Sequence, residues 1–162
     1  MIPNPILHPI PPVFDADSRI LILGSFPSVR SREEGFFYGH PRNRFWALLS
    51  RLLEQPVPAT VEEKKAFLLR NRIALWDVIR SCTLTGSSDS SIRDVVPNDL
   101  SGILSAADIR AVFVNGRTAE KVYLRHQKPL LGRDAVVLPS TSPANAACSF
   151  DRLLEAWRVI RL

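Results

Sequence analysis

A chain of 162 residues, 46% hydrophobic and 23% charged, has the apolar material for one buried core and too little length for two, so a single globular domain over residues 1–162 is expected. Its formal charge of +5 and pI near 9.8 rest almost entirely on arginine, since Lys64, Lys65, Lys121 and Lys128 are its only lysines; this leans toward nucleic acid or phosphorylated ligands, although a biased genome gives the same excess. No apolar run reaches the roughly 18 residues a membrane span needs, no basic-then-apolar leader opens the chain, and Cys82 and Cys148 stand isolated. A cytoplasmic protein with reduced thiols, no membrane contact, no disulfide framework and no metal site is therefore expected.

Residues 1–18 carry five prolines and read as an extended N-terminal segment whose Ile6, Leu7, Ile10, Val13 and Phe14 lie along the domain surface or edge. The apolar run Ile20-Leu21-Ile22-Leu23 predicts a first strand over about 19–23. A long polar loop follows from Gly24, and a helix from about Arg42–Arg44 to Leu53 is closed by Pro56 and Pro58. Thr60 and Glu63 form a capping box for a helix to about Asn71. A second strand over 73–76 runs through Asp77-Val78-Ile79 into a serine-rich loop, and Asn98 or Asp99 caps a short helix to about Ala107. A third strand over 111–114 ends in Asn115-Gly116 and precedes a helix from Thr118 to about His126. The fourth strand, 135–138, stops at Pro139-Ser140-Thr141-Ser142-Pro143, and the spacing of Phe150, Leu153, Leu154, Trp157 and Ile160 predicts a last helix over about 149–161. Short apolar strands alternating with helices predict a three-layer α/β/α fold around a four-stranded parallel sheet.

In such a sheet the carboxyl ends of the strands face one crevice, where ligands bind. The four ends deliver Gly24-Ser25-Phe26-Pro27-Ser28, the serine-rich loop, Asn115-Gly116 and the 139–143 segment. None is a phosphate-cradling loop with its lysine, a spaced-glycine dinucleotide fingerprint or a nucleophile elbow. Amides, aromatic rings, hydroxyls and arginines remain, a set suited to stacking on a flat ring and reading its polar edge.

Taken in order, GSFPS, YGHPRNRFW, NG and LPSTSPAN resemble the uracil-DNA glycosylase superfamily, and within it the hypoxanthine-DNA (deoxyinosine) glycosylase branch, from about residue 19 to the end. The resemblance implies a double-stranded DNA substrate holding a deaminated base, hydrolysis of the N-glycosidic bond, no cofactor and no metal. It makes Asn43 the catalytic residue, because Phe26 stands where the mismatch-specific relatives carry an asparagine. Gly24, Ser25, Phe26, Tyr38 and Asn115 become base-binding residues, with Phe26 or Tyr38 stacking on the extruded base. Ser28, Arg42, Ser140, Thr141, Ser142, Pro143 and Asn145 become DNA contacts. With no lysine in any of the four blocks, a monofunctional enzyme that leaves an abasic site is expected. A monomer is expected because the crevice face must stay free for a kinked duplex.

Structural readings stand beside these. Asn43 is also a good helix N-cap, Asn115-Gly116 an ordinary strand-to-helix turn, the 139–143 segment a plain cap and turn, and the aromatic residues near Phe26 and Tyr38 core packing. Asp89 accepts a hydrogen bond from the base or caps its own loop. Removal of uracil or a mismatched pyrimidine, DNA binding without catalysis, and hydrolysis of a free nucleoside are the competing functions.

Overall fold

Two sheets organise the chain in a computed structural model that describes residues 4–84 and 92–161. The larger has four parallel strands, β2 (Ile20–Gly24), β3 (Ile73–Asp77), β6 (Ala111–Asn115) and β7 (Val136–Leu138), in the order β3-β2-β6-β7. The central strand is an unbroken apolar run because both its faces are covered: Leu21, Ile22 and Leu23 are fully buried. Alternation then splits it between two cores. Ile20 and Ile22 join the core containing α2 (Phe45–Leu53), α3 (Val61–Arg70) and α7 (Phe150–Trp157), whereas Leu21 and Leu23 join the one containing α4 (Ser101–Ala106) and α5 (Arg117–Val122). The three-layer architecture expected from the sequence is the architecture found. Among the described residues no helix is long and apolar enough to cross a membrane.

The expected cap of α3 is present. Thr60 Oγ1 accepts from the Glu63 amide at 3.1 Å, and the Glu63 carboxylate accepts from Ala59 N at 2.9 Å. The cap expected at Asn98 or Asp99 is not found: the N-cap residue of α4 is Leu100, without a side-chain cap bond, and Asp99 Oδ1 instead closes a local turn by accepting from Ser101 N, which holds the Asp99 carboxyl below its usual range.

Four segments differ from expectation. The long loop after β2 contains a helix, α1 (Val29–Glu34), because Ser28 caps it from one end and Gly35, at φ 74°, closes it from the other. The stretch read as one serine-rich loop holds β4 (Ile79–Thr83) and β5 (Arg93–Pro97), an antiparallel pair; Asp89 lies outside the described residues. The N-terminal segment supplies β1 (Ile6–Leu7), which pairs with β4 to complete a second sheet, β1-β4-β5, and Ile10 and Val13 enter the core. The helix after β6 passes its expected end at His126. It runs through a π turn, Tyr123–Gln127, into α6 (Lys128–Leu131), where Pro129 sits in the first turn and needs no amide partner.

Candidate active site

All four parallel strands end at one pocket of about 290 Å³. Gly24 closes β2, Asp77 closes β3, Asn115 closes β6, and Ser140–Ala144 follow β7; Tyr38, His40 and Asn43 come from the loop before α2. What β3 brings to the crevice is thus Asp77, while β4, which follows it, belongs to the second sheet. Gly24 and Asp77 are register partners across the ladder. A Cβ at Gly24 would collide with Asp77 Oδ1 and with the Tyr38 hydroxyl, so only glycine lets both groups close over the end of the strand.

Asp77 is the buried carboxylate of this pocket, 3% exposed. Its Oδ2 is 2.7 Å from Nε2 of His8, whose side chain is itself only 2% exposed. The His8 ring sits among Phe26, Phe37 and Trp76, with centroids 5.7 to 6.1 Å away. Its other nitrogen, Nδ1, accepts from the Ile10 amide at 3.2 Å, so the proton is on Nε2 and the histidine donates to the carboxylate.

Tyr38 is held at φ 55°, a left-handed conformation that costs a non-glycine residue on the order of 1 kcal/mol and persists only where the surroundings enforce it. Here they do. The ring stacks on Phe45 at 4.1 Å and 22°, and the hydroxyl accepts from Asn115 Nδ2 at 3.2 Å. Burial, reinforced by the charge of Asp77, pushes the phenol pKa far above its ordinary value, so Tyr38 stays protonated. One ring face is taken by Phe45. Phe26, half-buried in the pocket wall, lies edge-on to His8 with the Arg32 guanidinium 5.8 Å from its centroid.

Asn43 is half-buried in the wall, where its Oδ1 accepts from Phe45 N at 3.0 Å. That bond closes a local turn at the start of α2, whose N-cap residue is Arg44 without a side-chain cap bond, and it leaves the Asn43 amide nitrogen unused by the helix. Asn115 is fully engaged: Nδ2 donates to Thr141 Oγ1 at 3.0 Å as well as to Tyr38, and Oδ1 accepts from Thr141 N at 3.1 Å. Thr141 is completely buried, so it serves as the anchor of its loop and presents no surface to DNA. Arg44 reinforces that anchor, donating to the carbonyls of Cys148 and Asn145 while its amide donates to Thr141 O at 3.1 Å. Each tryptophan pins a carbonyl beside the site. Trp46 donates to Phe37 O, Trp157 to Pro139 O and Trp76 to Ile10 O, at 2.9 to 3.2 Å.

Of the residues expected from sequence, Gly24, Ser25, Phe26, Ser28, Tyr38, Asn43, Asn115, Ser140, Thr141, Ser142 and Pro143 all line this pocket. Arg42 is exposed next to Asn43, outside the lining. Asn145 faces an adjoining cleft with Gly116 and Arg117, and its amide donates to Ser140 O at 3.0 Å. Two residues escaped the sequence reading. Asp77 left a signal, a charge directly ending an apolar strand. His8 left none, since it lies 69 positions from its partner in a proline-rich segment.

The model of the uracil DNA glycosylase superfamily matches residues 11–161. A hypoxanthine DNA glycosylase of Methanosarcina acetivorans is 39% identical over 155 residues, covering 93% of this chain and 94% of the relative. One of Methanosarcina barkeri is 34% identical over 140 residues, covering 83% and 85%. The solution NMR structure of a Methanosarcina acetivorans protein, provisionally assigned as a uracil DNA glycosylase, superposes with a TM-score of 0.80 at 38% identity and covers 94% of both chains. Sequence, fold and the convergence of four strand ends on one pocket agree: the chain belongs to the uracil DNA glycosylase superfamily.

Proposed function

We propose that this protein is a DNA-repair glycosylase that excises hypoxanthine from deoxyinosine and leaves an abasic site. The observation that carries the reading is the 39% identity, over nearly the whole chain, to a relative named for that activity. The pocket chemistry supports it. The target nucleotide leaves the stack at a cost of a few kcal/mol, less for a mispaired base, and enters the crevice. Water oxygen bonds to C1′ of the sugar, the C1′–N9 bond breaks, its electron pair departs on the base, and the proton lost by the water ends on base or solvent. Asn43 takes no proton at neutral pH; its amide nitrogen and the remaining lone pair of Oδ1 position the water. Phe26 and the open face of Tyr38 stack on the base, backbone amides of Gly24–Ser28 support its developing charge, and Ser142–Ala144 with Arg42 meet the duplex. No lysine lines the pocket, so no amine is at hand for a Schiff base and the enzyme is monofunctional.

Single-turnover release of base from duplexes holding inosine, uracil, xanthine or no lesion tests this. Wild type releases hypoxanthine fastest, and Asn43→Ala slows that release about a hundredfold or more while still binding DNA. A wild type that binds duplex but frees no base makes the protein a binding module.

A further inference from the structure

We propose that Asp77, aimed by His8, is the specificity-determining acceptor of the pocket: its carboxylate takes a hydrogen bond from the lactam N–H that deamination creates on the base. The inference rests on the glycosylase reading above and falls with it. Deamination of adenine turns an exocyclic amine beside a bare ring nitrogen into a carbonyl beside a ring N–H. A carboxylate only accepts, so it welcomes hypoxanthine N1–H and opposes the lone pair at adenine N1. A site built to bond an N–H rejects the analogue lacking it by large factors, because the buried group is then left unpaired.

His8 makes this readout one-directional. Its Nδ1 is occupied by the Ile10 amide, so Nε2 can only donate, and that donation fixes Asp77 Oδ2 at 2.7 Å. The other oxygen, Oδ1, stands over Gly24 at the strand end, within the pocket wall. Drawing the carboxylate charge toward Oδ2 also tempers its repulsion of the departing base. The N-terminal segment just after β1 is thereby part of the active site, and the aromatic neighbours of His8 keep water from competing for the pair.

The geometry yields a test that a merely structural pair would fail. In Asp77→Asn the amide oxygen must turn to the His8 donor, which points the NH₂ group at the pocket and against the lactam N–H. Single-turnover excision of hypoxanthine then falls about a hundredfold or more relative to wild type. In His8→Gln with Asp77→Asn both amides are free to turn, and at least tenfold of the loss returns. Should Asp77→Asn melt early, wild type decides the matter with a duplex carrying purine 2′-deoxyriboside, the same ring with a bare N1, released at least a hundredfold more slowly than hypoxanthine. Folded Asp77→Asn within threefold of wild type overturns the proposal, as does equal release of the two purines, and a double variant no faster than Asp77→Asn removes His8 from it. Loss of activity in Asn43→Ala alongside an unaffected Asp77→Asn would leave the glycosylase reading standing and this inference refuted; a wild type inert on inosine refutes both.

Discussion

Gly24 has no room for a side chain, and the reason is chemical as well as steric. Its missing side chain is the space into which Asp77 Oδ1 and the Tyr38 hydroxyl converge. Both groups are held from behind, Asp77 by His8 and Tyr38 by Asn115 and Phe45, so neither swings away at small cost. Gly24→Ala therefore costs about 1–3 kcal/mol in overpacking. A displacement of about 1 Å at Asp77 or Tyr38 also slows excision by about a hundredfold. Urea denaturation reads the first effect and single-turnover kinetics the second; a variant as active as wild type would show that the strand end tolerates a methyl group. Tyr123 and Cys82 offer a contrast. Burial raises the pKa of both, yet neither lines the pocket, so these shifts accompany packing and not chemistry.

At the scale of elements, the loop after β7 is positioned from α2 as much as from its own strand. Arg44, just ahead of α2, spans more than a hundred residues of sequence to hold the carbonyls of Asn145 and Cys148, so the helix start and the turn at Pro143–Asn145 are tied together. Arg44→Ala removes both bonds. About 1.5–3 kcal/mol of stability goes with them, and binding of abasic duplex weakens about tenfold, while the rate at saturating DNA changes less. Titration of a fluorescent duplex beside single-turnover kinetics separates the two, and a rate loss without a binding loss would contradict the assignment. Such long-range ties mark the limit of what the sequence makes legible. The four parallel strands are readable because each is an apolar run ending at a polar or breaking residue, and Asn43 and Tyr38 are readable from the blocks that carry the family resemblance. The β4–β5 pair is hidden because Arg80, Ser81 and Thr83 interrupt its apolar pattern, and β1 because two residues between prolines form a strand only once β4 is there to pair with. His8 belongs to that second kind: its role exists only in the tertiary fold.

At the scale of the molecule, the positive charge is not gathered on the crevice face. Arg19, Arg72 and Arg110 each immediately precede a parallel strand and therefore stand side by side at the amino edge of the sheet, opposite the pocket, where the Arg19 amide donates to Arg72 O and the Arg110 amide to Arg19 O. Arg30, Arg32, Arg42 and Arg44 lie instead in the segment that builds the pocket wall. Net charge alone makes both sets equivalent, whereas a duplex bound at the carboxyl edge contacts only the second. Each phosphate neutralised releases condensed counterions and adds about 0.9 to the slope of log K against log salt. Arg42→Ala, at an exposed position next to Asn43, lowers the magnitude of that slope by about 1 and weakens binding evenly across sequences. Arg110→Ala, whose guanidinium pairs with Asp108 at the far edge, leaves the slope unchanged although it removes the same formal charge. Binding measured from about 50 to 200 mM salt distinguishes the two, over a range in which several phosphate contacts change affinity by orders of magnitude. Equal slopes for the two variants would mean that DNA responds to the overall charge of the protein, and would move the duplex off the pocket face.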